Sequence, residues 1–359
     1  MEHPENSEEY KGLTVNSGVE QPAIINPYLK RSKFRRKVFT AAEMVEGIVK
    51  GDVTVLSQAV TLVESVNPDH QAKAQEVIEK CLPYSGQSVR IGISGVPGAG
   101  KSTSIDMFGC HVLDTKGGKL AVLAIDPSSE RSKGSILGDK TRMEQLSTDP
   151  HAFIRPSPSG LTLGGVARKT RETIVLCEAA GFDVILVETV GVGQSETVVK
   201  SMVDFFLLLM LAGAGDELQG IKRGIMEMAD GLVINKADGD NKSKAVAAQA
   251  QYRAALKLFP VNESGWTVPV EVCSALEGFA IDKVWEIIGQ YVTLTKANGY
   301  FESNRTEQNV NIFYNWINFT LQNRFYNNPE IQKRIEEFLP KIRNKQVSPY
   351  MAAGELTEG

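Results

Sequence analysis

Eight consecutive residues, Gly95-Val96-Pro97-Gly98-Ala99-Gly100-Lys101-Ser102, follow the spacing G-x-x-x-x-G-K-[ST], and their chemistry is phosphate binding. Glycines let a backbone curl so tightly that several N–H groups converge on one anion. A helix starting near Lys101, with Thr103 in its first turn, adds the positive end of its dipole. The Lys101 ammonium can reach the outer phosphates of a nucleotide, and the Ser102 hydroxyl suits an octahedral Mg²⁺ shell. The competing reading is a glycine-rich turn that binds nothing. An apolar strand in front and a helical stretch behind argue against it.

A second constellation lies 140 or so residues downstream. Asn235-Lys236-Ala237-Asp238 closes an apolar run and has the pattern N-K-x-D. A carboxylate at Asp238 can accept two hydrogen bonds from guanine, at N1–H and at the exocyclic amine, whereas adenine offers no such donor pair. Asn235 would support the loop, and the Lys236 stem would lie along the base. Ser274-Ala275-Leu276, after another apolar run, can offer a backbone N–H to the guanine carbonyl. On its own the tetrad is an ordinary surface loop; behind a phosphate loop it argues for guanine.

Three acids complete the set. Glu188 opens Glu188-Thr-Val-Gly191, where ordinary GTPases carry D-x-x-G with the glycine amide on the γ-phosphate. Asp126 ends an apolar run, and Asp139 sits in Gly138-Asp-Lys-Thr-Arg142. Any one of them can be a structural acid; three around one phosphate site favour a divalent ion. No Gln directly follows Gly191, so slow hydrolysis accelerated by a partner is expected. Gly191-Val-Gly-Gln194-Ser195 and Gly213-Ala-Gly-Asp-Glu-Leu-Gln219-Gly220 read as switch loops.

These residues need a scaffold. Candidate strands run Val89–Ser94, Leu120–Asp126, Phe153–Arg155, Val184–Glu188, Phe205–Leu211, Gly231–Asn235 and Val268–Ser274, with helical intervals at Ser102–Leu113, Ala167–Ala180 and Lys242–Leu258. Continuously apolar strands alternating with helices predict a doubly wound α/β fold, its mainly parallel sheet covered on both faces. Helical spacing before and after predicts N- and C-terminal helical extensions. The expected organisation is a polar arm over 1–40, a helical region over 41–86, a nucleotide-binding domain over 87–298 and a helical arm over 299–359. Phe313, Trp316, Ile317 and Phe319 in that last part need burial somewhere.

Composition narrows the class. The chain has 359 residues, with 39 Lys+Arg against 43 Asp+Glu and a formal charge of −4, which argues against a general nucleic-acid binder. A 42% hydrophobic share and 23% charged residues exclude global disorder. No apolar run reaches the length of a membrane span. Four scattered cysteines form no zinc pattern, and the acidic start MEHPENSEEY resembles neither a secretory signal nor a transit peptide, so the expected compartment is cytoplasmic. The basic cluster over 30–37 reads as a solvated face.

Five ordered motifs, GVPGAGKS (95–102), AIDPSS (124–129), GSILGDKTRM (134–143), VETVGVGQSE (187–196) and GDELQGIKRGIMEMAD (215–230), together resemble the MeaB/ArgK family. That resemblance implies a P-loop GTPase, related to the metallochaperone GTPases, that chaperones an adenosylcobalamin-dependent acyl-CoA mutase, above all methylmalonyl-CoA mutase. It implies Lys101, Glu188 and Asp126 as the catalytic set and Mg²⁺ near Ser102, Asp126, Asp139 and Glu188. It also implies coupling to the mutase through the loop of Gln219 and Lys222, and a homodimer embraced by the C-terminal arm. Competing functions are a metallochaperone GTPase for another metalloenzyme and a nucleotide-gated scaffold with negligible turnover. The first would want a His- or Cys-rich delivery segment, which the four scattered histidines and unpaired cysteines do not supply. A kinase of amino-acid transport lacks its catalytic motifs here.

Overall fold

Seven strands hydrogen-bond in one parallel sheet, in the order β3-β2-β4-β1-β5-β6-β7. They are β1 (Val89–Gly95), β2 (Leu120–Ile125), β3 (Ala152–Arg155), β4 (Val184–Thr189), β5 (Phe205–Leu211), β6 (Gly231–Asn235) and β7 (Val270–Val272). The computed structural model describes residues 39–125, 142–156, 163–189, 195–212 and 223–357. All seven expected strands are present, and the doubly wound α/β class holds. The last expected strand shrinks to three residues because β7 is an edge. There Gln249 and Arg253 side chains donate to the Val270 carbonyl, at 2.7 and 2.9 Å.

Strand residues alternate between two helical layers. Ile91, Ile93, Leu120, Val122, Val184, Leu186, Phe205 and Leu207 point to one core, shared with α4 (Lys101–Lys116) and α9 (Ile281–Ala297). Edge-on ring pairs seal it: Phe108 with Trp285 at 5.9 Å, and Phe205 with Tyr291 at 5.1 Å. Each large side chain so buried contributes about 1.5–3 kcal/mol. On the other face lie α5 (Leu163–Ala179) and α6 (Ser195–Lys200). Gly92 admits α6 here, because a Cβ at that position would stand 2.7 Å from Val199. The remaining sheet-flanking helices are α7 (Arg223–Met228) and α8 (Lys242–Leu256).

Three helices precede the sheet, each opened by its sequence. Thr40 and Glu43 form a reciprocal capping box at α1 (Ala41–Val49). Asp52 accepts the Thr54 and Val55 amides at α2 (Val53–Glu64), and Asn67 with Pro68 starts α3 (Pro68–Cys81). They pack on α5, with an Arg155–Glu64 ion pair and a contact from Lys169 to the Glu64 carbonyl tying the layers.

After α9, Gly299 at φ +79° turns the chain into α10 (Tyr300–Tyr326), a single 27-residue helix. Its first third is pinned to the sheet. Arg305 donates Nε and Nη2 to the two Asp204 carboxylate oxygens, both at 2.7 Å, and reaches the Gly86 and Ser88 carbonyls at 2.6 Å. Gln308 adds a bond to the Val203 carbonyl at 2.8 Å. Beyond it the helix runs on to α11 (Pro329–Arg343) and α12 (Pro349–Thr357).

Candidate nucleotide site

Because the sheet is wholly parallel, the carboxyl ends of β1, β4, β5, β6 and β7 open on one edge, where ligands of such sheets bind. The central strand β1 delivers the phosphate loop there. Gly95 has to be glycine: a Cβ would sit 2.3 Å from the Leu209 carbonyl oxygen of β5. Gly100, at φ +83°, caps α4 in the left-handed region, and a Cβ on it would meet the Asn235 amide at 2.9 Å. The turn closes with an Ala99 N–H to the Val96 carbonyl at 3.1 Å, and the Ser104 amide donates to Gly100 at 2.8 Å. Val96, Pro97 and Gly98 complete this loop, and Thr103 is exposed on the first turn of α4.

Lys101 folds back over its own loop, its Nζ donating to the Gly95 carbonyl at 2.9 Å. Burial pushes this ammonium below the ordinary lysine range, while the Glu188 and Glu196 carboxylates push it back up. The Ser102 hydroxyl donates to Glu188 Oε1 at 3.3 Å, so the end of β4 meets the start of α4. Behind them Thr189 Oγ1 donates to Ser94 Oγ at 2.8 Å, locking the ends of β4 and β1.

The guanine-type tetrad lies against this loop. Asn235 Nδ2 donates to the Ala99 carbonyl at 2.8 Å and to Ser104 Oγ at 3.0 Å. Its Oδ1 accepts the Ala275 amide at 3.0 Å and the Cys273 thiol at 3.5 Å. One buried carboxamide therefore holds the phosphate loop, the tetrad and the 274–276 turn together. Lys236 adopts φ +58°, a conformation costly for a side-chain-bearing residue, and stands exposed. Asp238 Oδ2 accepts the Ser274 hydroxyl at 2.7 Å, which fixes the carboxylate. Ala275 is buried, and Leu276 is 78% exposed at the rim.

Lys101, Ser102, Glu188, Asn235, Lys236, Asp238 and Ser274–Leu276 thus converge on one edge. Asp126, Asp139, Gly191, Gln194, Gln219 and Lys222 lie outside the described residues. Sequence reading missed Ser104, Cys273 and Glu196. Ser104 carried no local signal, standing among Ser102, Thr103 and Asp106 in the first turns of α4.

Among the described residues no three His, Cys, Asp or Glu side chains cluster to hold a metal. The donor chemistry still fits Mg²⁺, a hard ion that takes one or two protein oxygens and fills its shell with phosphate and water. The adjacent Ser102 hydroxyl and Glu188 carboxylate are such oxygens.

Residues 56–330 match the family model described as methylmalonyl-CoA mutase-associated GTPase MeaB. GTPase ArgK of Escherichia coli K12 is 44% identical over 319 residues, covering 89% of this chain and 96% of its own. A mouse protein, the mitochondrial methylmalonic aciduria type A homolog, is 43% identical over 337 residues, covering 91% of this chain and 80% of that one. A crystal structure described as LAO/AO transport system kinase superposes with a TM-score of 0.74 at 37% identity. It covers 90% of this chain and 99% of its own.

Proposed function

The chain belongs to the MeaB family of P-loop GTPases, and from that premise we propose that it is an Mg²⁺-dependent chaperone of an adenosylcobalamin-dependent acyl-CoA mutase. Methylmalonyl-CoA mutase is the client of choice, since the matching family carries that enzyme in its description. In this reading GTP turnover gates cofactor loading and protects or reactivates the mutase.

The observation that carries the nucleotide part is the Asn235 carboxamide, which joins the phosphate loop to the base-reading turn. Asp238, oriented by Ser274, accepts from guanine N1–H and its amine. The amides of the 95–103 loop and the Lys101 ammonium meet the phosphates, and Lys101 stabilises negative charge on the transferring phosphoryl group. Water attacks the γ-phosphorus, its bond to the bridging oxygen breaks, and GDP and phosphate result. Ser102 and Glu188, with Asp126 and Asp139, would hold Mg²⁺, which neutralises phosphate charge when bound. Gly191 and Gln194 serve as a γ-phosphate switch, and Gln219 and Lys222 carry the signal to the client.

The C-terminal arm would make a homodimer. Val310, Tyr314, Ile317 and Leu321 recur at helical spacing on α10, and all are exposed. Among the described residues no helix is long and apolar enough to cross a membrane.

The test is Mg²⁺-supported GTP turnover with and without methylmalonyl-CoA mutase from the same cell. Stimulation by the mutase supports the chaperone reading. Bound GTP with no stimulation removes this client, and a rate near zero in both arms favours a scaffold.

A further inference from the structure

Asn241 is the residue before α8, and asparagine is among the best residues for capping a helix start. Asn67 does so at α3, where its side chain accepts the Asp69 amide. Asn241 does not. Its backbone is already helical, at φ −83° and ψ −11°, and its side chain makes no capping bond. The carboxamide turns back instead: Nδ2 donates to the Lys236 carbonyl at 2.7 Å, while the Asn241 backbone N–H donates to the Asp238 carbonyl at 3.0 Å. Asp238, before the short turn Gly239–Asn241, makes no capping bond either; its carboxylate accepts from Ser274. Two side chains suited to capping are thus withheld from the helical turns they precede.

The carbonyl that Asn241 holds belongs to the strained residue of the loop. Lys236 at φ +58° crowds its Cβ against the backbone, and such a conformation persists only where the surroundings fix it. Two bonds fix it on the C-terminal side. One comes from Asn241 Nδ2, and the other runs from the Ala237 N–H to the Cys273 carbonyl at 3.0 Å. Both act on the single peptide unit 236–237, which leads directly into Asp238. Asn235 does not reach that unit, since its contacts go to Ala99, Ser104, Cys273 and Ala275. Ser274 holds only the Oδ2 end of the Asp238 carboxylate. We propose that Asn241 is a positioning residue for base selection. It pins the 236–237 peptide in its left-handed setting, so that Asp238 meets the N1–H and the exocyclic amine of guanine together. This deepens the reading of Asp238 as the guanine acceptor, and rests on it.

Displacement of a fluorescent GDP analogue from the full chain, by GDP and by IDP, tests it. IDP differs from GDP only in lacking the exocyclic amine, so the ratio of the two affinities reports how Asp238 is aimed, whatever happens to phosphate binding. The wild type should prefer GDP by at least about tenfold, the worth of one hydrogen bond to a charged acceptor. Asn241→Asp keeps the size and the capping chemistry but removes the N–H donor, and Asn241→Ala removes the carboxamide. In both, the preference should fall to about threefold or less. Asp240→Ala, at the exposed neighbour in the same turn, should keep the wild-type ratio. Asn241 variants that bind both nucleotides more weakly by the same factor, or that keep the full preference, overturn the proposal and leave Asp238 as the base reader. So does an equal loss of preference in Asp240→Ala. A wild type that does not distinguish GDP from IDP removes the reading of Asp238, and the proposal with it.

Discussion

The rim of the nucleotide edge and the far part of α10 are both surfaces, but they are finished differently. At the rim nearly every polar side chain is already satisfied within the chain: Asn235 makes four contacts to three segments, and Asp238 is held by Ser274. Along α10 past Gln308, large apolar side chains stand uncovered, with Phe313 and Tyr314 each 60% exposed. The contrast teaches that the chain builds its small-ligand site alone and in advance. Its helical surface is left for something else to complete. Arg305 marks the border between the two regimes.

Breaking that border gives the largest effect. Arg305→Met leaves Asp204 buried without its cation, so unfolding free energy should fall by about 3–5 kcal/mol, read as a lower urea midpoint. Next comes the rim. Asn235→Ala strands the Ala275 amide and should cost about 1–3 kcal/mol, with GTP affinity falling at least about tenfold in a fluorescent-nucleotide titration. Unchanged affinity there would mean the rim is not preorganised by Asn235.

A pH experiment sharpens the anchor further. Burial raises the Glu178 carboxyl, but the Arg90 guanidinium, the Ser88 hydroxyl and the Gly86 amide together outweigh it and hold the group below its ordinary 4.5. Its contribution to stability is therefore complete above that value and lost as pH falls through the lower, folded-state value. The gap in melting temperature between wild type and Glu178→Gln should be flat near neutrality and close in acid. A gap that widened in acid would reverse the sign.

The smallest effect belongs to the uncovered stripe. Leu321→Ser should change the stability of the monomer by no more than about 0.5 kcal/mol, since its side chain is 58% exposed among the described residues. If the stripe is the dimer surface, the same variant should sediment as monomer. A large stability loss without change of association would instead place Leu321 in an intramolecular core.

What could be read from sequence follows from distance along the chain. The phosphate loop and the N-K-x-D tetrad are contiguous, and β4, β5 and β6 are unbroken apolar runs, so motif and strand reinforce each other. The carboxamide that joins the two motifs spans 136 residues to Ala99 and 131 to Ser104, and no local pattern announces it. The docking of the first turns of α10 has no local signal for a similar reason. Its Asn, Gln and Glu residues carry no apolar period, and beside Phe301 its inward groups are Arg305 and Gln308, whose partners are 101 or more residues away. The short β7 reflects edge position, a property of topology rather than of composition.

The Arg305 staple also has a history in time. Its bonds to the Gly86 and Ser88 carbonyls link residues 219 and 217 positions apart. At synthesis rates of roughly 5–20 residues per second, those carbonyls wait about 10–40 s for their donor to be made. Asp204 waits about half as long. Every strand of the sheet has left the ribosome's catalytic centre by then, so the staple is a late event on a nascent sheet whose nucleotide-binding edge is already encoded. A chain truncated before residue 305 would keep the phosphate loop and both base-reading turns. It would also keep, for as long as it lasted, the acid beneath its first strand in search of a cation.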